Sequence, residues 1–133
     1  MSTNTTATEA EVDLATKAGV AAMARSAALA ALDKQGRDAV IVDVGDVLAI
    51  VDYFVIVHGM SDRQVHAIVE EVERVLYDTY GVKPRLVEGG DALKWVLLDY
   101  GFLGVHVFDE ETRRYYELER LWRDMPRLAL TAD

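Results

Sequence analysis

The chain alternates between segments with helical and with strand-like spacing of apolar residues. Over positions 65–80 the apolar residues recur every three or four places, as on one face of a helix. Ser61 and Gln64 precede them with the spacing of a capping box, and Gly81 follows them. The pattern therefore predicts a helix that begins at Ser61 and ends at Gly81.

An Ala-rich segment near the N-terminus predicts a second helix. Thr8 and Glu11 have capping-box spacing, and Gly36 is a natural stop after a helix that reaches about Lys34. The small side chains would allow close packing on a sheet or on a second copy of the chain. The expected buried stripe is narrow and consists of Val12, Ala15, Gly19, Ala22, Met23, Leu29 and Leu32.

Three short apolar runs predict strands. Residues 39–44 and 52–58 are rich in Val and Ile. The second run is apolar on both faces, which is typical of a central strand buried on both sides. Residues 82–87 form a shorter run, in which Pro84 indicates the edge of a sheet.

Two further runs, 95–100 and 102–108, predict a β-hairpin with Tyr100 and Gly101 as its two-residue turn, because glycine supplies the positive φ that such turns need. That register pairs Asp99 with Phe102 and Trp95 with His106. Side chains alternate between the two faces of a hairpin. One face is then mixed and comprises Trp95, Leu97, Asp99, Phe102, Gly104 and His106. The other face is aliphatic and comprises Val96, Leu98, Leu103, Val105 and Val107.

The order of these elements predicts an α/β (mixed α+β) fold in which a mixed sheet of about five strands is flanked by helices. Asp109 begins a turn or helix that leads into a short terminal helix within 113–122. We expect a single domain over residues 9–125, a disordered tail over 1–8 and a flexible tail over 126–133. A chain of 133 residues can bury a real core without disulfides, and this one has no cysteine.

The balance of acidic and basic residues bears on which class of molecule the chain could bind. There are 23 acidic residues against 14 Lys and Arg, a net charge of −9. Nucleic-acid binding normally needs a basic surface, so we expect no direct sequence-specific contact with nucleic acid. If the chain works near nucleic acid, it should contact a basic protein there; the alternative is that the acidity only keeps a small protein soluble. The N-terminal residues contain no apolar signal core, and no apolar run is long enough to span a membrane. We therefore expect a cytoplasmic protein without a membrane partner.

The segment around Gly59 and Ser61 raises the possibility of nucleotidyl transfer, because a strand, a glycine turn and a helix N-terminus can hold a phosphate. That chemistry needs clustered carboxylates to bind metal ions. The nearby pair, Glu71 and Glu73, lies within the predicted helix, where residues two apart point about 200° apart. The run 82–87 contains no acid. Ser61 is therefore better explained as a helix cap, and we predict no catalytic residue, metal site or cofactor.

The mixed hairpin face has two interpretations. Trp95, Asp99 and Phe102 could form a protein-binding patch, since aromatic residues are enriched in interface hot spots and an acid can pair with a cation of the partner. The alternative is a second small core layer, in which Trp95 packs under the N-terminal helix or the C-terminal segment. The sequence pattern leaves both open.

Four ordered motifs resemble the ribosomal silencing factor family, also called Iojap-like proteins. They are DYFVIVHGMSDRQV at 52–65, VEGGDALKWVLLDYG at 87–101, VHVF at 105–108 and RRYYELERLW at 113–122. The resemblance spans about residues 10–123. It implies a fold similar to that of nucleotidyltransferases but without their catalytic acids.

The resemblance also implies a function. A member of this family would bind the large ribosomal subunit through universal ribosomal protein fourteen, block joining of the small subunit and repress translation in starvation. It implies contact roles for Trp95, Asp99 and Tyr100, and less directly for Glu88 and Arg114. Phe102 stands where the family commonly has an acid, and a dimer contact there is one consequence. A nucleotide-binding or nucleotidyltransferase-like enzyme and a homodimeric scaffold remain the alternatives.

Overall fold

The computed structural model describes residue 14 and residues 16–131, without the side chains of Glu119 and Leu121. Within that part of the chain the helices are α1 (Lys17–Asp33), α2 (Asp62–Tyr80), α3 (Glu110–Tyr116) and α4 (Leu118–Leu121). The strands are β1 (Arg37–Asp43), β2 (Tyr53–Gly59), β3 (Leu86–Glu88), β4 (Trp95–Asp99), β5 (Leu103–Asp109) and β6 (Arg127–Leu128).

The strands form one mixed sheet in the order β3-β4-β5-β2-β1-β6. The pair β2–β5 is parallel, and the other neighbours are antiparallel. The predicted mixed α/β architecture is confirmed, with six strands rather than about five. β2 lies inside the sheet with Val55–Gly59 buried, as its two-sided apolar pattern predicts. β3 is an edge strand, as predicted, but it spans Leu86–Glu88 rather than 82–87, and Pro84 lies before it.

The sixth strand lies in the segment for which the sequence predicts a flexible tail. Ile41 pairs with Leu128 and Val42 with Arg127, and Arg25 Nε donates a hydrogen bond to the carbonyl oxygen of Ala129 at 2.9 Å. Part of residues 126–133 is therefore held against the sheet. Residues 1–8 and the capping box at Thr8 lie outside the described residues.

The N-terminal helix differs from its prediction in start and in buried face. Thr16 has an extended backbone and accepts the Gly19 N–H at 3.0 Å, so the helix begins at Lys17. Its buried face is built from alanines, whereas Leu29 and Leu32, which we predicted to be buried, are 46% and 37% exposed. Alanine lets the helix backbone approach α2 and the sheet closely, which leaves the larger leucines outside. The buried residues are Gly19, Val20, Ala21, Met23, Ala24, Ala27, Ala28, Ala30 and Ala31.

The second long helix agrees with its prediction. Ser61 Oγ accepts the Gln64 N–H at 3.2 Å, and Gly81 ends the helix with a left-handed φ of 72°. Its apolar face packs with α1 over one side of the sheet. The aliphatic hairpin face lies in this same core cluster, as predicted.

The other side of the sheet carries a smaller second core. Val42, Val44, Ile56 and Phe108 are fully buried there. Two side chains of the β1–β2 connection pack against them, Leu48 and Val51. Three side chains of the C-terminal segment do the same, namely Leu118, Trp122 and Met125. Trp95 and Phe54 join this cluster at its margin. The C-terminal segment therefore covers part, and only part, of this face.

The hairpin has the predicted faces but a different register. Asp99 pairs with Gly104 and Trp95 with Phe108, a shift of two residues from the predicted pairing. The turn is centred on Gly101 and Phe102, with Gly101 at a φ of 89° in the position that requires a positive value. Because side chains alternate with period two, a two-residue shift keeps every side chain on its predicted face.

Candidate functional site

Trp95 lies on the sheet face opposite α1 and α2 and is partly exposed. Its ring stacks on that of Phe108, its cross-strand partner, with centroids 4.9 Å apart. The ring of Tyr116 from α3 contacts it at the same centroid distance and a 51° tilt. Trp95 borders a small core and also reaches the surface, so its position is compatible with both interpretations that the sequence left open.

His106 fixes the polar edge of the indole. Trp95 Nε1 donates a hydrogen bond to His106 Nδ1 at 3.0 Å. The imidazole is 6% exposed, and burial lowers its pKa to about 4. The ring of Phe54 meets it edge-on at a centroid distance of 4.7 Å. An indole N–H only donates, so Nδ1 is the acceptor of a neutral ring at physiological pH.

Glu88 lies next to Trp95 on this face. Glu88 pairs with Leu97 across β3 and β4, and opposite residues of an antiparallel pair project to the same side. Glu88, Trp95 and Leu97 line one hollow of about 250 Å³. Glu88 is exposed and stands on the edge strand. The hollow therefore combines apolar walls with a solvent-accessible carboxylate.

Asp99 lies on the same face at the far end of β4. It lies four positions along the strand from Trp95, a distance of about 13 Å. It is partly exposed, and its Oδ1 accepts the Gly101 N–H at 2.8 Å, which shapes the turn. We call Glu88, Trp95, Leu97, Asp99 and Tyr116 the Trp95 surface.

The remaining predicted contact residues are placed less favourably. Tyr100 is only 8% exposed and packs in the helix-side core, so the predicted contact role would require it to leave that core. Burial raises the pKa of its hydroxyl. Phe102 is 40% exposed at the hairpin turn. Arg114 is exposed and pairs with Glu110 at 3.0 Å. It lines a different hollow, beside His58 and Arg113.

That second hollow lies where α3 crosses β1 and β2. Arg113 is buried and donates hydrogen bonds to the Arg37 carbonyl oxygen at 3.2 Å and to His58 Nδ1 at 3.0 Å. Burial, followed by the positive charge of Arg113, lowers the pKa of His58. Arg113 therefore anchors α3 to the sheet, which in turn positions Tyr116 against Trp95.

Strand alternation correctly placed Leu97 and His106 on the same face as Trp95. Sequence reasoning did not predict the Trp95–His106 hydrogen bond or the contact of Tyr116 with Trp95. The Trp95–His106 hydrogen bond requires the observed register, in which the two residues are diagonal rather than opposite. Tyr116 depends on the direction of α3, which no local pattern gives.

The possible phosphate cradle at Gly59–Ser61 is occupied by the chain itself. Gln64 Oε1 accepts the Met60 N–H at 2.7 Å, and Ser61 Oγ accepts the Gln64 N–H. Lys94 Nζ lies 3.2 Å from Asp109 and 3.6 Å from Asp62, so a lysine ammonium already neutralises the nearest carboxylates. Among the described residues no group of three or more His, Asp or Glu could hold a metal ion. None of the described helices is long and apolar enough to cross a membrane.

Comparison with known proteins identifies the family. The family model described as "Ribosomal silencing factor during starvation" matches residues 17–133. Ribosomal silencing factor RsfS of Bacillus subtilis (strain 168) is 43% identical over 100 residues, which are 75% of this chain and 84% of that protein. A Mus musculus protein named "Mitochondrial assembly of ribosomal large subunit protein 1" is 37% identical over 95 residues, which are 67% of this chain and 40% of that protein.

A solved structure agrees with this assignment. The X-ray crystal structure of a Chromobacterium violaceum protein has a TM-score of 0.73 and 29% sequence identity to this chain, with coverage of 84% of this chain and 91% of that one. A family match of this extent and relatives of this identity leave one conclusion. The chain belongs to the ribosomal silencing factor family.

Proposed function

We propose that this protein binds the large ribosomal subunit in the cytoplasm through universal ribosomal protein fourteen, blocks joining of the small subunit and represses translation in starvation. It acts by occupying a surface rather than by catalysis. Membership of the ribosomal silencing factor family supports the class of function. The named ribosomal protein and the steric mechanism are the parts that need testing.

The observation that carries the proposal is the partly exposed Trp95 beside the exposed carboxylate of Glu88. Such a hollow suits the long side chain of an Arg or Lys, whose methylenes lie along apolar walls while its charge meets a carboxylate. An indole ring adds cation–π attraction. Basic side chains are the chemistry that a ribosomal protein offers most readily, so the surface fits the proposed partner.

The overall charge supports the same partner. A net charge of −9 would attract a basic protein and speed its encounter with this chain. The same charge repels phosphates, so direct contact with ribosomal RNA is the less favourable mode.

The enzyme alternative gains no support from the residues around Ser61. The Ser61 hydroxyl and the Gln64 side-chain oxygen accept the backbone N–H groups of Gln64 and Met60, and Lys94 neutralises Asp62 and Asp109. A phosphate would have to displace these contacts. Calorimetric titration with a nucleoside triphosphate and magnesium tests this alternative, and measurable binding would favour it.

The proposal is tested by mixing purified small and large subunits with excess protein and separating them on a sucrose gradient. We expect the peak of joined ribosomes to fall and the protein to sediment with the large subunit. Unchanged joined ribosomes together with free protein at the top of the gradient would contradict the proposal.

A homodimer is a separate proposal. Phe102 and the exposed leucines of α1 offer apolar area on two different parts of the molecule. Light scattering of the wild type and of a Phe102→Glu variant shows whether a dimer forms and whether Phe102 is its contact. A dimer that persists in the variant would exclude Phe102 as the contact.

A further inference from the structure

We propose that His106 is a positioning residue, which holds the Trp95 indole in the orientation that the ribosomal partner meets. This inference rests on the proposed function, because it concerns the same surface. Trp95 Nε1 donates to His106 Nδ1 at 3.0 Å, and this is the hydrogen bond that the described structure gives the indole. A ring fixed before binding loses less freedom when the partner arrives.

The environment of His106 is built to keep this bond. The imidazole is 6% exposed and lies between β4 and β2, with the Phe54 ring edge-on to it. Gly104 leaves room for these rings, because a Cβ there would come within 3.2 Å of Phe54 and 3.7 Å of His106 Nε2. The ring therefore has little freedom to turn away from Trp95.

Burial of the polar His106 ring costs stability, and this cost argues that its hydrogen bond with Trp95 has a role. With Nδ1 as acceptor, the ring proton lies on Nε2. Nε2 is buried and has no hydrogen-bond partner among the described residues. An unpaired buried polar atom normally destabilises a fold, so an aliphatic residue would suit this position better on packing grounds alone. Burial also lowers the pKa of His106 to about 4, which keeps Nδ1 free to accept at neutral pH.

Two substitutions separate the hydrogen bond from the volume of the ring. His106→Asn keeps an acceptor close to the place of Nδ1, whereas His106→Leu removes it and keeps an apolar side chain. We expect His106→Leu to weaken binding to purified universal ribosomal protein fourteen by about fivefold, the equivalent of one neutral hydrogen bond. His106→Asn should bind within about twofold of the wild type, since the acceptor is retained.

The bond itself is measured without any partner. The chain has two tryptophans, so a nitrogen-15 spectrum has two indole N–H signals, and a Trp122→Phe variant identifies that of Trp95. We expect slow hydrogen exchange of the Trp95 indole in the wild type and in His106→Asn, and fast exchange in His106→Leu. Thermal unfolding checks that each variant is folded, and wild-type exchange remains decisive if His106→Leu does not fold.

The outcomes distinguish this inference from the proposed function. Fast exchange of the Trp95 indole in the folded wild type would overturn the inference. Full-strength binding by a folded His106→Leu would also overturn it. If the wild type fails to bind the ribosomal protein while its indole is protected, the proposed function is wrong and the hydrogen bond is only structural.

Discussion

Trp95 packs against the small core of the sheet and is also partly exposed at the surface. Phe108 stacks against it, Tyr116 contacts it from α3, and His106 accepts its N–H. A partly exposed aromatic held from several sides keeps little rotamer freedom, so a partner can bury it at low entropic cost.

One prediction concerns truncation of the indole. Trp95→Ala should weaken binding to the large subunit by about 2 kcal/mol or more, as expected of a central aromatic hot spot. Tyr77→Ala is the matched control, because Tyr77 is a 52% exposed aromatic on α2, on the opposite side of the sheet. Titration of labelled protein with large subunits measures both. Equal affinities of the two folded variants would remove Trp95 from the site.

A second prediction concerns the pH dependence of stability. Burial lowers the pKa of His106 to about 4 from the ordinary histidine value of 6.5. Its favourable contribution is therefore complete above pH 6.5 and is lost as the pH falls towards 4, because the unfolded chain takes up the proton first. Between pH 7.5 and 5 this residue should lower the free energy of unfolding by about 2 kcal/mol.

Urea unfolding at the two pH values measures this loss. His106→Asn should lose less stability than the wild type over the same range, because it removes the buried imidazole that the unfolded chain protonates first. An identical loss in wild type and His106→Asn would show that His106 does not titrate as stated.

Among the elements, the β3–β4 connection sets the geometry of the Trp95 surface. Gly89 has a φ of 82°, and a Cβ there would lie 2.0 Å from the carbonyl oxygen of Trp95. Its neighbour Gly90 faces open space. The backbone of the loop therefore passes directly over the start of β4, where only glycine fits.

Gly89→Ala should destabilise the fold by about 2 kcal/mol, because it adds a strained backbone conformation and a clash with Trp95. It should also weaken ribosome binding by displacing Trp95. Gly90→Ala is the matched control and should stay within about 0.5 kcal/mol of the wild type. Chemical unfolding and a binding titration measure both effects. A Gly89→Ala variant as stable as Gly90→Ala would contradict the described loop.

The elements also show what the sequence could predict. Strong local patterns were sufficient for α2, whose caps and apolar face agree with their prediction. The hairpin faces were correct although the register was wrong by two residues, because alternation depends only on parity. The predicted position of the turn was wrong because Gly101 can occupy either of two turn positions, and only the pairing of whole strands decides between them.

Other elements carried too little local information. β6 has two residues and is defined only by its partner β1. In α1 the alanines gave no apolar contrast, so leucines were assigned to the core and lie outside. Strand alternation was sufficient to place Trp95 and Asp99 on one face of the hairpin. Their contact roles, and that of Glu88, stay predictions. The burial of Tyr100 and the contacts of His106 and Tyr116 depend on tertiary packing.

For the whole molecule, the net charge of −9 and the place of the carboxylates determine how a partner approaches. Glu88 and Asp99 lie on the sheet face opposite the two long helices. Glu88 is exposed and Asp99 is partly exposed, so in the proposed contact we expect them to affect the rate and salt dependence of association more than the final packing.

Glu88→Lys should slow association with the large subunit and reduce the dependence of that rate on salt, because it reverses a charge inside the proposed contact. Asp33→Lys changes the net charge by the same amount at the exposed end of α1 and is the matched control. Stopped-flow association at several salt concentrations measures both. The same slowing in both variants would mean that only net charge matters.

The proposal that this protein blocks subunit joining by binding the large subunit is tested most directly by light scattering. The scattering is followed during subunit joining, and the order in which the components are added is varied. Protein added to large subunits before small ones should abolish the rise in scattering, and Trp95→Ala should restore it. Protein that is first mixed with small subunits should inhibit joining only as fast as it binds the large subunits that are added afterwards. Undiminished joining after preincubation with large subunits, or inhibition that Trp95→Ala leaves unchanged, would contradict the account.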